Sequence, residues 1–193
     1  EELRQPLEDN EVTISRVNGT MTFPANLMLV AAMNPCPCGF YGYSDKCTCS
    51  QNAISKYVAK ISGPLLDRID IQVEASAVNY KDLNIEYNTE SSKNIKQRVI
   101  NAQKIQLDRY KNDGVYFNSQ LTPNLIEKYC ELGNNEKEIL KDVFNRLQLS
   151  ARAYHKILKI SRTIADLEQS ENINVMHIAE AVQLRNLDRK FMF

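Results

Sequence analysis

Four cysteines fall within fourteen residues, Cys36, Cys38, Cys47 and Cys49, as two Cys-x-Cys pairs with eight residues between them. Five cysteines in all, four of them bunched, do not form the dispersed framework of a secreted disulfide protein, and a reducing, cytoplasmic setting is expected. Gly39 and Gly42 let the intervening loop bend far enough to gather the thiols. Four thiolates around one ion make a tetrahedral zinc site, and four protein sulfurs leave no position open for a catalytic water. Each pair has one intervening residue where zinc sites usually have at least two, so three readings stand. The cysteines are a structural zinc brace, reduced thiols in an ordered loop, or disulfides.

Just before them, Leu27 to Met33 is an unbroken apolar run ended by Asn34-Pro35. Such a run, closed by a proline that cannot donate to a ladder, predicts a strand buried on both faces, as in a parallel sheet. Ligands of open parallel sheets sit beyond the carboxyl ends of the strands, where Asn34 would stand. Its amide can donate to a phosphate oxygen or position a water; equally, it can do no more than turn the chain before Pro35.

Upstream, β-prone residues flank Asn18-Gly19, a signature of a type I′ turn, in which both central residues need positive φ. A hairpin from about Glu11 to Phe23 is predicted, with Arg16, Val17 and Asn18 near its tip; an isolated arginine there is by default solvated. Downstream of the cysteines, Asn52 to Lys60 reads as a short helix with Ile54, Tyr57 and Val58 on one side. Ser62-Gly63-Pro64 breaks it, and Leu65-Leu66 forms an apolar turn. Ile69, Ile71 and Val73 then alternate with polar residues, predicting a strand with one exposed face. Arg68, between turn and strand, either pairs with Asp67 or Asp70 or reaches a neighbouring subunit's nucleotide.

Residues 79–92 are polar and read as a linker. Beyond them the pattern is wholly helical. A first helix carries Ile95, Val99, Ala102 and Ile105 inward and Lys93, Lys96, Arg98, Lys104, Arg109 and Lys111 elsewhere, the most basic surface of the chain, of a kind usually solvated. Thr122-Pro123 starts a second, a third runs from about Asn135 to Gln148, Ser150 caps a fourth and Asn174 a fifth, together a small bundle. Arg152 lies in the first turn of the fourth, where the free N–H groups favour an anion. His155 and His177 have no metal-ligand partner at helical spacing and read as structural or surface histidines.

The 193 residues, 43% hydrophobic and 25% charged, are ordinary for a globular protein, and with a net charge of zero any nucleic-acid contact must come from a local basic face. No apolar run approaches a membrane span, so no membrane partner is expected. The fold class is α/β: a parallel-sheet remnant with a hairpin and a cysteine-rich loop, followed by an all-α part.

Leu3-Arg4-Gln5-Pro6-Leu7-Glu8, Val12-Thr13-Ile14-Ser15-Arg16, Ala31 to Gly39, Ser62-Gly63-Pro64-Leu65-Leu66-Asp67-Arg68-Ile69-Asp70 and Ser150-Ala151-Arg152-Ala153-Tyr154-His155 together resemble the magnesium-chelatase-like AAA+ ATPases of bacteria, over nearly the whole chain. The resemblance implies part of an AAA+ P-loop NTPase core over residues 1–78, a linker over 79–92 and a helical lid over 93–193. It implies that Asn34 is sensor 1, Arg68 an arginine finger offered to the next subunit, and Arg152 sensor 2, with Asn34 and Arg152 on the nucleotide. The hairpin would bring Arg16 to DNA in the pore of a homo-oligomeric, hexameric ring driven by ATP and Mg²⁺, acting as a helicase or branch-migration motor.

No G-x-x-x-x-G-K-[ST] phosphate loop occurs in the sequence, which begins without a methionine. The chain is therefore expected to be a C-terminal piece that neither binds ATP tightly nor hydrolyses it alone. Two other readings stay open: a zinc-stabilised nucleic-acid-binding module without an ATPase role, and a subunit of a chelatase that inserts Mg²⁺ into a porphyrin.

Overall fold

The computed structural model describes residues 3–42, 45–75 and 90–185, which form two compact units, one on either side of residues 76–89. The expected linker lies outside the described residues except at its last three positions, and Ser91 there is already the cap of a helix. The chain is mostly helical, with one small antiparallel sheet.

In the first unit, helix α1 (Arg4–Asp9) ends where Asn10 turns left-handed at φ 56°. It is followed by β1 (Glu11–Arg16) and β2 (Gly19–Pro24), paired antiparallel with Val12 opposite Phe23 and Arg16 opposite Gly19. This register puts Val12, Ile14, Met21 and Phe23 on one face and the hydroxyls of Thr13, Ser15, Thr20 and Thr22 on the other, because strand side chains alternate. The hydroxyls bond across the strands, Thr13 to Thr22 at 3.2 Å and Ser15 to Thr20 at 3.1 Å. The Gln5 side chain of α1 brackets Thr13, donating to its hydroxyl at 3.2 Å and accepting from its backbone N–H at 3.4 Å. The predicted hairpin is present, but its two turn residues are Val17 and Asn18; positive φ falls on Gly19, at 140°, and not on the pair a type I′ turn requires.

Two predicted strands are not formed. Leu27 to Met33 carries no regular secondary structure, and its side chains are exposed, Met28 at 88% and Val30 at 82%. Residues 69–75 likewise form no strand among the described residues, and Val73 is 70% exposed. A strand is defined by its ladder, and among the described residues neither run belongs to one. The parallel-sheet remnant is thus absent from the described structure. Helices α2 (Gln51–Val58), capped by the Ser50 hydroxyl, and α3 (Gly63–Leu66), opened by Pro64, complete the unit.

The second unit is a bundle of α4 (Ser92–Arg109), a short 3-10 helix (Asn118–Gln120), α5 (Pro123–Tyr129), α6 (Asn134–Arg146), α7 (Ala151–Leu167) and α8 (Val175–Gln183). Local chemistry sets the starts: Ser91 and Ser150 accept the backbone N–H three residues on, Asn174 accepts those of Met176 and His177, and Pro123 stands at the first turn of α5. Helix α7 is the centre, buried around most of its girth from Ala153 to Asp166, with Ile157, Leu158, Ile164 and Ala165 packing on Leu121, Ile126, Leu140 and Ile178. The expected inward stripe of α4 is covered only in part. Ala102 is buried, whereas Ile95 and Val99 are nearly half exposed.

At the heart of this bundle is a charge. Asp166, fully buried, accepts from both terminal nitrogens of Arg109 (3.0 and 2.5 Å), from Nε of Arg162 (3.1 Å) and from the Asn118 amide (2.9 Å). Arg162 then donates to the carbonyls of Ser170 and Glu171 at 2.7 and 2.8 Å, closing the turn beyond α7. Removing one member of such a set leaves the other charges buried without compensation. Asp166→Asn is therefore expected to destabilise the helical unit by about 3–5 kcal/mol, read as a lower urea midpoint of the helical signal.

Candidate functional site

The four cysteines converge. Their sulfurs all lie within 4.8 Å of one another, Cys36 to Cys38 at 3.3 Å, Cys38 to Cys47 at 3.7 Å and Cys36 to Cys47 at 3.9 Å, and none is disulfide-bonded. A tetrahedron of sulfurs about 2.3 Å from a central zinc has edges of about 3.8 Å. The three distances among Cys36, Cys38 and Cys47 lie near that edge and Cys49 stands within 4.8 Å, so the donor set is compatible with Zn²⁺.

The sequence forms this loop for local reasons. Gly39 and Gly42 sit at φ 83° and 81°, a region closed to most residues with a Cβ, and the Gly39 N–H closes a turn onto the Cys36 carbonyl at 3.1 Å. Ser50 caps α2 directly after Cys49, so the loop ends where the helix starts. The loop packs on Ile54, Tyr57 and Val58, the side of α2 that faces it. Burial raises the Cys36 thiol, but donors from Cys38 and from the Tyr41 and Cys38 backbones outweigh it and bring the thiol down to about 6. The Phe40 N–H lowers Cys38 in the same way. The Cys38 backbone favours a Cys49 thiolate, but donation to Cys38, burial and the charge at Cys36 prevail and push it up to about 12. Backbone N–H groups thus favour the thiolate form that a metal requires.

The other predicted site residues are distributed over both units. Asn34 is exposed just before the loop, with its side chain against Gly39; a Cβ there would meet the amide nitrogen at 3.6 Å. It follows an exposed, irregular segment and not the end of a buried strand. Arg68 lies near the start of the second predicted strand run, its side chain 15% exposed. It forms a salt bridge to Glu8 of α1 and donates to the Pro64 carbonyl at 2.7 Å. Glu8 lies sixty residues away in sequence, beyond the reach of spacing arguments, although it belongs to one of the motifs singled out above. Arg16 ends β1 and is exposed. Arg152 belongs to the second unit, exposed in the first turn of α7.

Both histidines fit their structural reading. His177 is buried, its Nδ1 accepting the Asn174 N–H at 3.0 Å and its Nε2 lying 2.9 Å from Glu168. His155 lies half-buried beside Tyr154. Among the described residues no helix is long and apolar enough to cross a membrane.

Without metal, the first equivalent of thiolate is expected to form as pH rises through about 6. Ultraviolet thiolate absorbance checks this, and Cys36→Ser removes the step.

Known proteins with this sequence pattern span both units. The family described as magnesium chelatase, subunit ChlI, matches residues 1–83, and its C-terminal family, magnesium chelatase, subunit ChlI C-terminal, matches residues 89–185. The competence protein ComM of Haemophilus influenzae is 41% identical over 188 residues, covering 97% of this chain and 36% of that protein. The uncharacterized protein YifB is 39% identical over 189 residues in Salmonella typhimurium and 38% identical over 192 in Escherichia coli, with the same coverage of 97% and 36%. The chain thus spans about a third of the length of these curated relatives, and it belongs to the magnesium chelatase subunit ChlI family.

Proposed function

We propose that the chain is part of a ring-forming AAA+ ATPase, hexameric and cytoplasmic, that couples ATP hydrolysis to the remodelling of DNA by helicase or branch-migration action. The observation that carries the reading is the match to the magnesium chelatase ChlI family along both units, over residue ranges that include Asn34, Arg68 and Arg152. Residues 1–78 supply part of the ATPase core, 79–92 the linker and 93–193 the helical lid. The phosphate loop belongs to the remainder of the full-length protein, and the chain alone does not turn over ATP.

ATP with Mg²⁺ supplies the phosphoryl group and part of the charge neutralisation when bound. Asn34 places a neutral donor near the phosphoryl oxygens, suited to hold a water without adding charge. Arg68 extends a planar fork that stabilises negative charge on the transferring group of the adjacent subunit. Arg152 offers its guanidinium at a helix start, where dipole and side chain favour an anion together. Arg16, exposed at the end of the hairpin, contacts the DNA backbone. Cys36, Cys38, Cys47 and Cys49 hold a structural zinc whose role is to fix the loop beside Asn34.

The family's description keeps a second reading in view, a chelatase subunit that serves insertion of Mg²⁺ into a porphyrin. Stimulation of ATP turnover by DNA favours the first; stimulation by the porphyrin favours the second.

In the assembled full-length protein, Arg68→Ala is expected to lower ATP turnover by about 10³-fold. Unchanged turnover would reduce Arg68 to the partner of Glu8. Elemental analysis is expected to find about one zinc per chain, lost in Cys47→Ser; a metal-free protein with ordered thiols would end the zinc assignment.

A further inference from the structure

Helix α4 carries five basic residues, Lys93, Lys96, Arg98, Lys104 and Arg109, against the single acid Asp108, in a chain whose net charge is zero. Two of the five are already engaged. Arg98 is paired with Glu90 and Arg109 with Asp166. The three lysines are exposed, and at 3.6 residues per turn they fall on one stripe, opposite the seam of Ala102 and Gln106 that faces the bundle. Asp108, at the border of the stripe, pairs with Lys111 at 3.3 Å.

Helix stability does not account for this placement. Lys93 and Lys96 lie in the first two turns, where the positive end of the helix dipole disfavours cations, and the first turn holds no acid. An ordinary solvated helix face mixes both signs at i, i+4 spacing; here Lys93 meets Gln97 and Lys96 meets Ile100, and only Lys104 has an acid there, Asp108, which is paired with Lys111. Lysine is also depleted at protein–protein interfaces, which favour aromatic and arginine anchors. A row of like charges over about 17 Å of helix is complementary instead to a uniformly charged polyanion.

We propose that Lys93, Lys96 and Lys104 form a nucleic-acid backbone contact on the helical unit, separate from the Arg16 hairpin and blind to base sequence. The choice of nucleic acid as the polyanion rests on the DNA-remodelling reading; the site rests on the helix. Each lysine that neutralises a phosphate on duplex DNA releases counterion, so the salt dependence of binding counts the contacts.

The test is fluorescence anisotropy of a labelled duplex with the full chain, titrated with salt. Lys93→Gln/Lys96→Gln/Lys104→Gln is expected to flatten the slope of log K against log salt by about 2.7, the corresponding triple arginine variant to keep it, and single Lys96→Gln to lower it by about 0.9. Circular dichroism confirms that each variant retains its helices. A triple-glutamine slope within one unit of wild type overturns the proposal, as does an equal loss per charge in Lys137→Gln/Lys141→Gln on α6, or a parent chain without salt-dependent binding. Low-salt self-association that the triple variant abolishes, with the DNA slope intact, overturns it too by assigning the stripe to a second copy. Arg68→Ala turnover in the full-length protein reports separately on the ATPase reading, so either can fail without the other.

Discussion

The convergence of four sulfurs is the constraint on which the first unit depends. Among the described residues its buried hydrophobic cluster is Cys36, Ile54 and Val58, with Cys38, Cys47, Cys49 and Tyr57 packed around it. Apolar burial on that scale cannot offset the entropy of ordering the loop, and small scaffolds of this kind are stapled by metal or disulfide. Here the thiols are free and close, while backbone N–H groups aimed at Cys36 and Cys38 favour their charged form. The loop in turn fixes what surrounds it. Gly39 is free of a Cβ where the Asn34 amide lies, and Ser50 starts the helix on which the loop rests.

The second unit solves the same problem differently. Its apolar core is large and continuous, and Asp166 is not needed to supply burial. What the carboxylate does is select one arrangement: Arg109 from α4, Asn118 from the 3-10 helix and Arg162 from its own helix all satisfy it, and each has its own second bond elsewhere. Tyr110 donates to Asn118 at 2.5 Å and Gln106 accepts the Asn118 N–H at 3.1 Å, so the network extends back into α4. Such a network tolerates little misalignment, because any slip leaves a buried charge without its partner.

Helix starts were legible in the sequence because capping is a matter between residues three apart; Ser150, Asn174 and Thr122-Pro123 all stand where the pattern put them. The hairpin was legible for the same reason, though Asn18-Gly19 misplaced its turn by one residue, since cross-strand register and not the dipeptide fixes which residues turn. The two missing strands show the opposite case. Leu27 to Met33 has the composition of a buried strand, but a ladder needs a partner that local composition does not supply. Arg68 could be singled out, yet its bond to Glu8 joins residues far apart in sequence. Asp166 was invisible, because a lone acid on an amphipathic helix looks like surface until the fold supplies its arginines.

The short helix α1 has a mechanical meaning. Gln5 grips Thr13 in the hairpin, Asn10 takes the N–H of Ala25 where the hairpin ends, and Glu8 between them holds Arg68. The three contacts span less than two turns of one helix, which is stiff over that length. Hairpin and guanidinium are thereby tied to one short helix, so a substitution that unfolds α1 removes the hold on both ends at once.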